Sequence, residues 1–297
     1  MRAGNPGGSL APMSNTPAAP AARLAPHREF FARFILSKAG VTNPRLLAAV
    51  VSTPRESYIG PGPWLIAAGR GYVPTPNADA TFLYQDVLVA LDAARGINTG
   101  EPSLHVRCID ALGIAEGEHA VHIGAGTGYY TAILARMVGG GGHVDAYEID
   151  TGLATKATTN LAAFGRVRVH AESGVGQPLP EADAIYINAG ASHPERSWLE
   201  ALRPDGRLMF PLTGNDGQGG MLLVQRKPSG YAARFLCGVG FIPCEGARDG
   251  DTGARLGAVF AAGGWGAVRA LHLDISPDTS CWFAGNRWWL STDELAD

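Results

Sequence analysis

Three glycines, Gly124, Gly126 and Gly128, alternate with Ala125 and Thr127 directly after the apolar run "HAVHI". The pattern predicts a strand that breaks into a tight turn and then enters the helix "GYYTAILARMV". Such a turn at the carboxyl edge of an α/β sheet is a ligand site. Glycine lets the backbone approach a ligand with no Cβ in the way. A dinucleotide fingerprint requires glycine at the sixth position counted from Gly124, and that position is Tyr129. The lysine of a triphosphate-binding loop is absent as well. Glu148 closes the next apolar run, "HVDAYE", roughly 20 residues beyond the glycines. A carboxylate there can accept both hydroxyls of a ribose.

An adenosine without a pyrophosphate meets these conditions, and S-adenosylmethionine is such a ligand. Its sulfonium is cationic, so it asks for no basic cradle. The expected donor site is the loop Gly124, Ala125, Gly126, Thr127, Gly128 and Tyr129, followed by Glu148 and Ile149. Glu172 and Ser173 end the third strand, where adenine is commonly contacted in class I methyltransferases. Asn188 and Ala189 end the fourth strand and face the methyl-bearing side. His193 in the next loop is a tempting base, although a lone loop histidine is more often solvated. No metal site is expected. Cys108, Cys237, Cys244 and Cys281 form no CxxC pair, and the spacing of Cys237 and Cys244 fits no common zinc pattern. They read as reduced thiols of a cytoplasmic protein.

These residues need a doubly wound sheet to position them. From "HAVHIGA" to "GRLMFPLTG" the order is β-α-β-α-β-β-α-β, the alternation of a parallel sheet. "GGMLLVQRK" and "YAARFLCGVGFI" follow as a hairpin on the sheet edge. Upstream, "REFFARFILSKAG" and "TNPRLLAAVVSTP" read as helices, the second capped by Asn43, begun by Pro44 and stopped by Pro54. "RESYIGPGPWLIAAGRGYVPTPNADA" reads as loop, "TFLYQDVLVALDAA" as helix, and "RGINTGEPSLHVRCIDAL" as a polar turn into another helix. The tail ends in an aromatic strand, "CWFAGNRWWLS". The expected division is a disordered tail over 1–26, a helical, substrate-covering segment over 27–110, the donor-binding domain over 111–245 and an extension over 246–297.

The chain has 297 residues, 46% hydrophobic, enough to bury a substantial core. A net charge of −3 argues against nucleic acid as a partner. No apolar run approaches the ~18 residues of a membrane span. The Ala- and Pro-rich start lacks the apolar centre of a signal peptide, and both Met1 and Met13 can serve as the start.

Over roughly residues 28–245 the chain resembles the protein-L-isoaspartate (D-aspartate) O-methyltransferases. "VHIGAGTGYYTAILARMVG" matches the family's hydrophobic-G-x-G-[ST]-G-Y motif, with Tyr129 at its Tyr. "TPRESYIGP" resembles the family's Val-Pro-Arg segment. "YINAGASHPERSWLEALRPDGRLMFPLTG" resembles its segment with a small-residue turn and Pro before L-x-P-G-G-R-L. The resemblance implies a Rossmann-like class I methyltransferase sheet with N-terminal helices, here with a C-terminal β extension. It also implies S-adenosylmethionine as donor, a carboxylate on a protein or peptide as acceptor, and a role in protein repair. The family carries G-Q-T-I-S-Q-P before the glycine loop, its Ser over the substrate carboxylate. Matched to "ADATFLYQD", the motif puts Tyr84 at the Ser, Gln85 at the second Gln and Asp86 at the Pro, and so implies Tyr84 and Gln85 as acceptor-side catalytic residues. The family's G-D-G reads Ala171, Glu172, Ser173. "DAARGINTGEPSLHVR" then stands as an insertion.

A carboxylate is ionised at neutral pH, so its methylation needs alignment and exclusion of water rather than a base. Tyr84 can donate to that carboxylate, with Arg55 and Trp64 enclosing it. Two further readings stand beside this one. The first is a methyltransferase for a small molecule or biosynthetic peptide. The second is a non-catalytic S-adenosylmethionine-binding adaptor that docks through its Trp-rich tail. The oligomeric state is left open.

Overall fold

The computed structural model of the chain describes residues 20–69 and 71–295. Its first helix, α1 (Pro20–Ala39), starts at Pro20 rather than near His27. Residues 20–26 are therefore helical and not part of a disordered tail; residues 1–19 lie outside the described residues. The helix reaches back because Leu24 joins Phe31, Ala32, Ile35 and Leu36 on one buried stripe at helical spacing. α2 (Pro44–Val51) follows with Asn43 accepting from the amides of Arg45 and Leu46, as its sequence predicts.

The next stretch departs from expectation. The supposed loop holds α3 (Glu56–Ile59) and a hairpin of β1 (Leu65–Ala68) and β2 (Gly71–Pro74). The supposed helix at "TFLYQDVLVALDAA" is one 3-10 turn, Ala80–Leu83, followed by β3 (Ala90–Asp92), which pairs with β4 (Ile97–Asn98). Arg55 supplies the reason. Its buried guanidinium takes the carbonyls of Leu83, Gln85 and Val87, which a helix would need for its own ladder.

After α4 (Pro102–Ala111) the expected alternation runs as read: β5 (His119–Ile123), α5 (Tyr129–Val138), β6 (His143–Tyr147), α6 (Thr151–Asn160), β7 (Val167–His170), β8 (Ala182–Ile187), α7 (Arg196–Glu200) and β9 (Leu202–Thr213). β10 (Gln218–Lys227) and β11 (Gly230–Gly240) form the expected hairpin, but not at an edge. The tail supplies α8 (Gly250–Ala262), β12 (Ala270–Leu273), β13 (Cys281–Ala284) and β14 (Trp288–Ser291). Its strands extend one ten-stranded sheet in the order β13-β14-β12-β11-β10-β9-β8-β5-β6-β7.

The strands from β7 to β9 are parallel and the rest antiparallel. β5 is buried along its whole length, as a central parallel strand covered on both faces must be. One core lies between the sheet and α1, α2, α4, α5 and α6; a second lies on the opposite face under α7, α8 and the tail. β5 neighbours β6 on one side and β8 on the other, so the strand order reverses there and opens a crevice at their carboxyl ends.

Candidate active site

A cavity of about 1420 Å³ occupies that crevice. Its floor is the glycine loop. Gly124, Gly126 and Gly128 all have left-handed φ, at 76°, 57° and 92°. Their jobs differ. A Cβ on Gly128 would stand 2.8 Å from the Leu161 side chain, so this glycine lets α5 pack beside the end of α6. A Cβ on Gly126 would meet only Leu91, at 3.5 Å. The amides of Gly124 and Ala125 both donate to the Tyr147 carbonyl and curl the loop over β6.

Glu148 is locked to this loop. One carboxylate oxygen accepts from the Gly126 amide at 2.7 Å, the other from the Asp150 amide at 2.9 Å. Each keeps a lone pair for a ligand. Burial raises the carboxyl pKa above its ordinary value, while these amide bonds pull the other way.

Gly124, Ala125, Thr127, Tyr129, Glu148, Ile149, Glu172, Ser173 and Asn188 all line the cavity. Gly126 and Gly128 shape the loop behind them. The Tyr129 hydroxyl is buried with no partner among the described residues, as is that of Tyr130, which the sequence pattern does not single out. Asn188 gives its amide N–H to His122 Nε2 at 2.8 Å, and its Oδ1 is unpartnered among the described residues. His122, held neutral by burial with a pKa near 3, pairs through Nδ1 with Thr131 Oγ1 at 2.8 Å.

The expected acceptor-side residues lie elsewhere. Tyr84 is buried edge-on against Phe31; its hydroxyl donates to the Glu56 carboxylate and accepts from Arg28 Nε at 3.3 Å. The Gln85 side chain donates to the Phe82 carbonyl. Neither lines the cavity. Arg55 is fully buried between the rings of Phe31 and Tyr129, and Trp64 packs with Leu83 and Val89. His193 pairs with Glu195 at 2.9 Å, outside the cavity.

The wall facing the glycine loop is instead built from Ile97–Glu101 and from His105 and Arg107 of α4. In the sequence this stretch reads as an insertion. The available signal is Pro102, a proline at the first turn of the helix that leads into β5. Laid with its Pro on Pro102, the G-Q-T-I-S-Q-P pattern puts its Gly on Gly96, its Ser on Gly100 and its second Gln on Glu101. A further wall is a strap, Phe241–Glu245, tied to the loop after β8: the Gly190 amide donates to Ile242, and the Cys244 amide to Gly190. Arg248 fastens it by donating to the carbonyls of Gly190, Thr213 and Gly214.

A family model described as Protein-L-isoaspartate(D-aspartate) O-methyltransferase (PCMT) matches residues 70–249. The chain belongs to this family. It is an S-adenosylmethionine-dependent carboxyl O-methyltransferase with the class I methyltransferase fold. Family members among its relatives include the protein-L-isoaspartate O-methyltransferase of Rhodopseudomonas palustris (strain ATCC BAA-98 / CGA009), 31% identical over 70% of this chain and 88% of that protein. The namesake from Roseiflexus sp. (strain RS-1) is 27% identical over 71% of this chain and 89% of its own length. A solved Plasmodium falciparum structure, a putative protein-L-isoaspartate O-methyltransferase in complex with S-adenosyl-L-homocysteine, shares the fold with a TM-score of 0.58 at 16% identity, covering 74% of this chain and 98% of that one.

Among the described residues, His119, His143 and Asp145 group closely enough to hold a metal ion. They sit on β5 and β6 away from the glycine loop, where Asp145 is already bonded by His119 at 2.8 Å and His170 at 2.6 Å. No helix among the described residues is long and apolar enough to cross a membrane.

Proposed function

We propose that the cavity holds S-adenosylmethionine on the glycine loop and receives, at its α4 wall, the carboxylate of an isoaspartyl residue in a protein or peptide. The donor set fits the group. Glu148 offers free lone pairs to a ribose, Glu172 and Ser173 stand at the third strand end for the adenine, and Tyr129 and Asn188 hold buried polar atoms without partners among the described residues. When bound, the donor supplies an electrophilic methyl on a sulfonium. The chain aligns the acceptor with it and keeps water out. An ionised carboxylate has no proton to lose, so the engagement of His193 with Glu195 costs the reaction nothing.

The observation that carries this reading is that glycine loop and α4 wall share one cavity, larger than the ~300–1,000 Å³ of a typical single-ligand pocket. Four free cysteines support a reducing, cytoplasmic location. The test is labelled methyl transfer to an isoaspartyl peptide and to its normal aspartyl twin; label on the first alone is the expected result. One observation favours a second reading. Gly100 has no hydroxyl where the family has a serine, which suits an acceptor held differently, such as a small molecule or biosynthetic peptide. Turnover confined to such compounds would establish it.

A further inference from the structure

Gly100 is not a simple loss. A Cβ built on it would lie 2.0 Å from His105 Nε2, so the imidazole already fills the space a serine side chain would take. His105 sits in the first turn of α4 and lines the cavity. Its ring stacks on Tyr130 with centroids 3.8 Å apart, and Phe241 meets it edge-on from the strap side. Nδ1 lies 2.6 Å from the hydroxyl of Tyr186 on β8. Nε2 has no partner among the described residues.

Hydrogen-bond accounting sets the tautomer. If Nδ1–H donated to Tyr186, the buried phenol would have only the Cys108 thiol beside it, a weak acceptor. If Tyr186 donates to Nδ1, the phenol proton goes to the stronger acceptor, and the ring's own proton sits on Nε2, free for a ligand. Burial keeps the Tyr186 hydroxyl protonated, raising its pKa well above the usual value. Burial also lowers the His105 pKa to about 3, and the nearby His122 and Arg55 oppose a second proton.

On the reading of the cavity given above, we propose that His105 stands in for the missing serine, its Nε2–H, fixed by Tyr186, donating a hydrogen bond to the acceptor carboxylate. Tyr186 is the positioning residue. His105 acts as a neutral donor and moves no proton, so no step of the transfer depends on its ionisation.

Histidine ¹⁵N NMR of the whole protein tests the tautomer without any acceptor, with the His105 signals assigned by their absence from His105→Gln. The expected spectrum shows a protonated Nε2 and a bare, hydrogen-bonded Nδ1 from about pH 5.5 to 8.5. An Nδ1–H tautomer, or an imidazolium forming near the ordinary value of about 6.5, overturns the proposal. Kinetics with an isoaspartyl peptide test the role. His105→Leu should lower kcat/KM by about 10- to 100-fold while S-adenosylhomocysteine affinity stays within about twofold. His105→Gln, which keeps an N–H at similar reach, should recover to within about fivefold of wild type. A leucine variant within about twofold of wild type, or equal losses in both variants, overturns it. If the wild type transfers no methyl to that peptide, the acceptor reading fails, and the NMR result still decides where the His105 proton lies.

Discussion

Glu148 has both oxygens engaged by backbone amides before any ligand arrives, and this makes it intolerant of near-isosteres. Glu148→Ala should weaken S-adenosylmethionine binding by about 1.5–3 kcal/mol, read by calorimetry. Glu148→Gln should not rescue it, because its amide N–H₂ must face one of two N–H groups. Protonation does the same damage. The carboxyl pKa is raised by burial, so affinity should fall as pH drops through that raised value and level off above it. The apo-protein's stability moves the other way: the native state binds this proton more tightly than the unfolded chain, so the contribution of Glu148 falls as pH climbs from the ordinary carboxylate range to the raised value. The place of Glu148 on the cavity was legible because a strand end and an adjacent turn fix it locally. That Tyr84 packs away from the cavity was not legible, because its partners Arg28, Phe31 and Glu56 are distant in sequence. Tyr84→Phe should therefore cost about 1–2 kcal/mol in thermal unfolding and leave donor affinity and kcat/KM within about twofold.

At the scale of elements, two glycines of one loop should behave oppositely. Gly126→Val puts a strained side chain beside the Glu148 contact with only Leu91 nearby, and should abolish turnover while far-UV dichroism stays near wild type. Gly128→Ala drives a Cβ into Leu161 and should lower the melting temperature by about 2–4 °C for each kcal/mol of stability lost, read by a thermal melt. The parallel half of the sheet could be read because buried strands and amphipathic helices alternate in chain order. The 80–98 region could not, because one buried arginine, Arg55, decides it by claiming three carbonyls. The α4 wall was hidden for a related reason: Gly96 and Pro102 carry the pattern, but the serine that marks it is replaced by Gly100, with His105 filling the space.

For the molecule as a whole, the extension is part of the sheet rather than an appendage. The tryptophans expected to form a docking surface face inward: Trp288 and Trp289 are buried, while Trp265 and Trp282 pack on Phe235. Removing residues 246–297 would bare the edge of β11 and the aromatic face around Phe235. An open, apolar edge of this kind seeks other chains. The truncated protein should elute as aggregates in size-exclusion chromatography, whereas the full chain should not.

The strap around Phe241–Glu245 gives the cavity a remote gauge. Its Ile242 carbonyl accepts from the Gly190 amide in the loop after β8, its Cys244 amide donates to the Gly190 carbonyl, and Arg248 closes it from behind. Opening it would take away one wall of the cavity. Deuterium exchange at Gly190 and Cys244 thus becomes a count of how often the pocket comes apart. If that opening releases ligand, S-adenosylhomocysteine at about 100 times its Kd should slow exchange at both amides roughly 100-fold, while amides on the far strands β13 and β14 keep their pace.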